Sequence, residues 1–135
     1  MFQKQISVFL ENKRGRLAEI TKALGDNAIN MRALCIADTA DFGVLRIITD
    51  KPDLTEQVLR DEGYAVNITE VIAISVEDRP GGLAEALRIL DDNNIDIEYM
   101  YHFLHTATAQ VSMIMRVDKP EEALHKLKKS QLNIL

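Results

Sequence analysis

The chain has 135 residues, carries 16 Lys+Arg against 21 Asp+Glu for a formal net charge of -5, and contains no tryptophan. That balance excludes a general nucleic-acid binder, and the few aromatics leave no platform for stacking bases. One cysteine, Cys35, excludes an internal disulfide; the sequence reads as having neither a charged-then-apolar leader nor an apolar run able to cross a bilayer, which predicts a cytoplasmic protein without a membrane partner.

Taken in chain order, Ile6, Val8 and Leu10 alternate with Ser7, Phe9 and Glu11, the period of a strand. After Gly15, the residues Leu17, Ile20 and Leu24 recur at helical spacing. Ile29, Met31, Ala33, Cys35 and Ala37 then share one side of a second strand, and a third strand follows over 44–49 after the turn Asp41-Phe42-Gly43. Asp50 and Asp53 have the spacing of an acidic capping box around Pro52, and Gly63 ends the helix they begin. A strand over 64–68 closes the set.

The set then repeats. Gly15-Arg16-Leu17-Ala18-Glu19 recurs as Gly81-Gly82-Leu83-Ala84-Glu85, an offset of 66 that also aligns Glu11 with Glu77, Leu24 with Leu90 and Asp26-Asn27 with Asp92-Asn93. Farther on, Asp50-Lys51-Pro52 recurs as Asp118-Lys119-Pro120 at an offset of 68. Strands are accordingly expected at Ile72, Ile74 and Val76, at Ile95, Ile97, Tyr99, Tyr101 and Phe103, and over 111–117 after Thr106-Ala107-Thr108. Helices are expected at Leu83, Ala86, Leu87 and Leu90 and after the second capping box, Asp118 with Glu121; 132–135 offers a last short strand. The predicted fold class is α+β: two ferredoxin-like βαββαβ repeats, over 1–69 and 70–135, with antiparallel sheets and helices on one face. No glycine or proline separates Val66 from Val76, so the closing strand of one copy should run into the opening strand of the next without a flexible linker. Phe9, Leu34, Ile36, Met100, Leu104 and Ile114 are placed opposite the helices, an apolar face that predicts sheet-to-sheet association within the chain or between two chains.

Asp78-Arg79-Pro80-Gly81-Gly82-Leu83 combines a strand end, two glycines and a helix start whose N–H groups lack intrahelical partners. Backbone donors there could receive a small carboxylate, Arg79 adds positive charge, and Asp78 could meet an ammonium, which together describe a free α-amino acid. Asn12-Lys13-Arg14-Gly15-Arg16-Leu17 is the matching turn. The same spacing also fits turns that only reverse the chain and start a helix, with Asp78 or Asn12 as a local cap.

The duplicated βαββαβ order and the Asp-Arg-Pro-Gly-Gly-Leu turn resemble a tandem ACT-domain protein, a small regulatory module of amino-acid metabolism, over nearly the whole chain. The resemblance implies an amino-acid effector bound at domain interfaces by Asp78, Arg79, Pro80, Gly81, Gly82 and Leu83 in copy two and by Asn12, Lys13, Gly15, Arg16 and Leu17 in copy one. It adds the starts of the second strands, Asn30 with Met31 and Asp96 with Ile97. Copy one departs from the pattern, with Arg14 in place of proline and Arg16 after the glycine, which puts one of the two sites in doubt. The implied protein is a free-standing sensor or in-trans regulator rather than an enzyme, a homodimer with a metabolic enzyme as its partner. The alternative is a ligand-independent regulatory subunit.

Other features carry less chemistry. His102 and His105 lie three apart, on opposite faces of a strand, and no cysteine or carboxylate cluster completes a metal site with them; neither a metal nor a cofactor is expected. His102 is assigned to the apolar interface face and Cys35 to the helix-facing side, as a core residue. Asp91, Asp92, Asp96 and Glu98 read as a solvated turn, Met113 and Met115 as packing, and His125 with Lys126, Lys128 and Lys129 as an exposed helix face.

Overall fold

The stretch from Val66 to Val76 lies inside one uninterrupted strand of 13 residues in the computed structural model, which describes residues 1–38, 41–103 and 110–135. The elements in order are β1 (Gln3–Glu11), α1 (Arg16–Asp26), β2 (Met31–Asp38), β3 (Phe42–Thr49), α2 (Pro52–Asp61), β4 (Ala65–Glu77), α3 (Gly82–Asp92), β5 (Ile97–His102), β6 (Gln110–Val117), α4 (Pro120–Lys129) and β7 (Asn133–Ile134). They form two compact units, Lys4–Thr69 and Met1–Gln3 with Glu70–Leu135. The first part of β4 closes the first unit and its remainder opens the second, so each has the predicted βαββαβ order.

In the first unit β3 pairs antiparallel with β1, from Ile6↔Ile47 to Glu11↔Phe42, and on its other edge with β2. Ile6, Val8, Leu45 and Ile47 face Ile20 and Leu24 of α1 and Leu59 of α2. In the second unit β6 lies between β5 and β4, and β7 takes the other edge of β4 through Ile74↔Ile134. Ile72, Ile74, Met113 and Met115 there meet Ala86 and Leu90 of α3 and Leu127 of α4. Each buried Leu or Ile contributes roughly 1.5–3 kcal/mol, which makes these stripes the main force selecting the fold.

The face assignments of β2 and β5 need correction. A register shift between Met31 and Ala33, and another between Ile97 and Tyr99, inserts an extra residue and inverts every later side chain. Leu34 and Ile36 therefore pair with Ile47 and Leu45 on the helix side, and Met100 pairs with Met115. Ala33, Cys35, Tyr99 and Tyr101 move to the opposite face, the two tyrosines stacking at 6.5 Å between ring centroids. Cys35 is thus a half-buried residue of the face away from the helices, and His102, opposite Met113, is an exposed strand end on the helix side. Of the six apolar residues assigned to the far face, Phe9 and Ile114 stand there and Leu34, Ile36 and Met100 do not; Leu104 lies outside the described residues, as do His105 and Thr106-Ala107-Thr108. That face is buried at Ala33, Ile48, Ala73 and Ile114.

The capping boxes are also replaced. The N-caps of α2 and α4 are Lys51 and Lys119, without a side-chain cap, and prolines occupy the first turn. Asp50 instead accepts the Asn30 N–H at 2.9 Å while its own N–H donates to the Asn30 carbonyl at 3.1 Å; Asp118 and Asp96 repeat the exchange at 2.9 and 3.1 Å. Lys51 donates to the Ala28 carbonyl at 2.9 Å and Lys119 to that of Asn94 at 2.8 Å. The Asp-Lys-Pro repeat thus clasps the turn before the second strand to the end of the third. Removing a charged acceptor from such a pair costs roughly 1.5–3 kcal/mol, toward the lower end where water can replace it. Asp118→Ala should lower the urea midpoint accordingly, and an unchanged midpoint would remove the clasp from the account of stability.

Ala28 and Asn94, at the same turns, hold φ of 55° and 56°. Asparagine tolerates this left-handed region better than alanine does. Ala28→Gly should therefore stabilise the protein by roughly 0.5–1 kcal/mol, and a lower unfolding midpoint would contradict the strain at this position.

Candidate functional site

Each first strand ends in a turn of the same construction. The N–H of Lys13 donates back to Glu11 O at 2.8 Å and that of Arg79 to Glu77 O at 2.9 Å, and Arg16 N–H and Gly82 N–H close the next turn onto Lys13 O and Arg79 O at 3.3 and 3.0 Å. Gly15 and Gly81 follow with φ of 88° and 85° and stand at the N-caps of α1 and α3. Neither helix has a side-chain cap, so the reading in which Asn12 or Asp78 caps the helix is not realised. The remaining first-turn amides of both helices lack an intrahelical partner, the arrangement that receives anions.

A cavity lies against each turn. The first, about 350 Å³, is lined by Phe9, Leu10, Glu11, Arg16, Glu19, Glu62, Gly63 and Tyr64. The second, about 210 Å³, is lined among others by Ser75, Val76, Glu77, Arg79, Gly82, Glu85, Gln131 and Leu132. Seven of the eight first-cavity residues have their repeat counterpart in the second: Phe9 with Ser75, Leu10 with Val76, Glu11 with Glu77, Arg16 with Gly82, Glu19 with Glu85, Gly63 with Gln131 and Tyr64 with Leu132. The first volume falls within the range of roughly 300–1,000 Å³ usual for small-molecule sites, and the second falls below it.

The charges in the two turns are arranged differently. Lys13 pairs with Glu11 at 2.7 Å, and that hydrogen bond, then the charge behind it, holds the Glu11 carboxyl below its usual pKa. Glu19 accepts from Arg16 at 3.2 Å and from the Tyr64 hydroxyl at 3.0 Å. In the second turn Arg79 lies between two carboxylates, donating to Glu77 at 2.5 Å and to both oxygens of Glu85 at 2.8 and 2.9 Å. The Glu85 and then the Glu77 hydrogen bonds raise its pKa above the ordinary arginine value.

Tyr64 supplies a pH handle. Burial first, then donation to Glu19, raises its pKa above the usual tyrosine value. A raised folded-state pKa stabilises the protein fully below the unfolded value of about 10, and that contribution is lost as pH rises through the folded pKa. Spectrophotometric titration should show a late-ionising tyrosine that disappears in Tyr64→Phe; the same late phase in that variant would place it on another residue.

The structure gathers some of the sequence-selected residues and separates others. Arg16, Arg79 and Gly82 line the cavities, Gly15 and Gly81 shape the turns, and Asn12, Lys13, Asp78 and Pro80 are exposed on them. Leu17 is partly exposed, and Leu83 packs against the second core. Within a unit, Asn30, Met31, Asp96 and Ile97 are not brought to the turn. Met31 pairs with Thr49, at the opposite end of β3 from the Phe42 that pairs with Glu11, and Ile97 pairs with Val117, opposite the Gln110 end. Their neighbouring N–H groups, on Asn30 and Asp96, are held by the clasps. Sequence reasoning missed Glu19, Glu85 and Tyr64. Glu19 and Glu85 recur at the same repeat position, but an acid in the first turn of a helix is favoured by the helix dipole in any case, so their sequence pattern did not mark them as site residues.

Among the described residues no group of three or more His, Cys, Asp or Glu side chains could hold a metal ion. Among the described residues no helix is long and apolar enough to cross a membrane.

Two βαββαβ units, each with a left-handed glycine between its first strand and first helix, define a tandem βαββαβ repeat protein. The chain belongs to the ACT domain pair family, whose model matches residues 1–135. It is similar to protein BT0572 from Bacteroides thetaiotaomicron, with 41% identity and a TM-score of 0.95 over 100% of this chain and 92% of that one. It shares its fold with the ligand-free regulatory subunit of aspartate kinase from Thermus thermophilus, at 16% identity and a TM-score of 0.65 over 93% and 91% of the two chains. The aspartokinase alpha and beta subunits share it as well, at 22% identity and a TM-score of 0.61 over 94% and 90%. No curated protein matches the sequence.

Proposed function

We propose that this ACT domain pair is an amino-acid sensor that binds a free α-amino acid at a glycine turn and regulates a metabolic enzyme in trans, acting as a homodimer. The observation that carries this reading is the recurrence of one cavity at one place in both units, against a left-handed glycine and an open helix N-terminus. The amides suit the α-carboxylate; Asn12 or Asp78 on the turn suits the ammonium. A ligand there regulates only by favouring one arrangement of the protein over another.

A thermal-shift screen against the twenty standard amino acids tests the reading. A ligand at a hundred times its Kd stabilises the native state by about 2.7 kcal/mol, a shift of several degrees. One selective shift supports the sensor, whereas none, with the protein folded, favours a ligand-independent regulatory subunit.

A further inference from the structure

The two units carry the same framework of strand-end glutamate, turn cation and helix glutamate, but connect it differently. In the second unit all three guanidinium nitrogens of Arg79 are engaged: Nε with Glu77, Nη2 with both oxygens of Glu85, and Nη1 with the Pro80 carbonyl at 3.4 Å. In the first unit the helix glutamate, Glu19, is drawn away from the turn cation by Arg16 and Tyr64, whose counterparts Gly82 and Leu132 offer it no side-chain donor. Lys13 there keeps one carboxylate, Glu11.

The packing differs in the same sense. A Cβ on Gly82 would stand 2.2 Å from the Glu77 carbonyl oxygen, so the second turn is folded down onto its own strand end, and its cavity is the smaller at about 210 Å³. A carboxylate already held on the turn cation competes for the same donors as a ligand carboxylate, and a cation that already holds two of them offers a third little.

We propose that Glu85, with Glu77, is an internal carboxylate occupant that clamps Arg79 and closes the second unit's turn to anionic ligands. The consequence, that an amino acid enters the first unit's cavity alone, rests on the function proposed above; the clamp does not. The unit with the more complete sequence motif is thus the self-occupied one, and Glu85 sets how many ligands each chain takes.

The test is a heteronuclear NMR titration of the whole chain and of Glu85→Gln, an exposed substitution, with acetate as the bare carboxylate and glycine as the smallest amino acid. The reporters are the amides of Gly15, Arg16 and Leu17 for the first turn, and those of Gly81, Gly82 and Leu83 with the Arg79 Nε–H for the second. In the wild type the second set should stay still with acetate. In Glu85→Gln it should shift saturably with about two- to fivefold higher affinity, as loss of one competing exposed ion pair implies. A wild-type second turn that binds acetate as tightly as the variant does, or a variant second turn that stays silent, overturns the clamp. Silence of the first set toward glycine and the other amino acids, with the second opened by Glu85→Gln, sinks the amino-acid reading and leaves the clamp standing.

Discussion

Gly82→Ala is expected to destabilise the protein by roughly 2–4 kcal/mol, because the added carbon has no space that a side chain can vacate. It would stand 2.2 Å from the Glu77 carbonyl oxygen and 3.3 Å from the Glu77 carbonyl carbon, both backbone atoms at the end of β4. Relief requires moving either the helix start or the strand end, and each is fixed: Gly82 N–H is bonded to Arg79 O at 3.0 Å and Glu77 is paired with Gln110. The matching position of the first unit already carries Arg16, so Arg16→Gly should cost only about 1 kcal/mol, the backbone freedom of glycine at a helix start. Urea unfolding of the two variants reads this contrast. A loss below 1 kcal/mol for Gly82→Ala would show that the second turn is not folded down as described.

Leu24→Ala and Leu90→Ala should each cost about 2–5 kcal/mol. They are the same residue of the repeat, the last apolar position of α1 and of α3, and both side chains are 1% exposed. Leu24 packs with Ile20, Ile29 and Leu59; Leu90 packs with Ala86, Ile95 and Leu127. The loss combines the transfer of the missing carbons with the cavity left behind, and the second term depends on how far neighbours relax. Ala86 stands where the first unit has Ile20 and offers less side chain to collapse inward, so Leu90→Ala should be the costlier of the pair. Equal costs would mean that relaxation at the two sites does not depend on this difference, and a cost under 1 kcal/mol at either would contradict its place in the core.

Most of the fold was legible because periodicity and repetition report it directly. The alternation at Ile72, Ile74 and Val76, the stripe at Leu83, Ala86, Leu87 and Leu90, and the turn glycines each answer to one local rule. The faces of β2 and β5 were not legible: a bulge at Arg32 or Glu98 leaves the alternation looking regular while inverting all that follows it. The capping boxes failed for a different reason. Asp50 and Asp118 satisfy backbone donors some twenty residues away in sequence, and that competition cannot be seen within a four-residue window.

The glycine turns were found from their residues, but their contents were not. Arg79 read as a free positive charge, whereas both of its carboxylate partners are supplied by the chain. Tyr64 read as the start of a strand; it lies just before β4, where its hydroxyl reaches Glu19 across 45 residues of sequence. A contact of that range depends on the closed fold, not on any local pattern.

The most direct measurement is calorimetric titration of the folded protein with each of the twenty standard amino acids, followed by titration of the one that binds into Arg16→Ala. Saturable heat from one amino acid, with affinity at least about tenfold weaker once the cavity loses Arg16 and its hold on Glu19, is the expected result. No saturable heat from any of the twenty, or binding that Arg16→Ala leaves unchanged, would contradict an amino-acid sensor built on the first glycine turn.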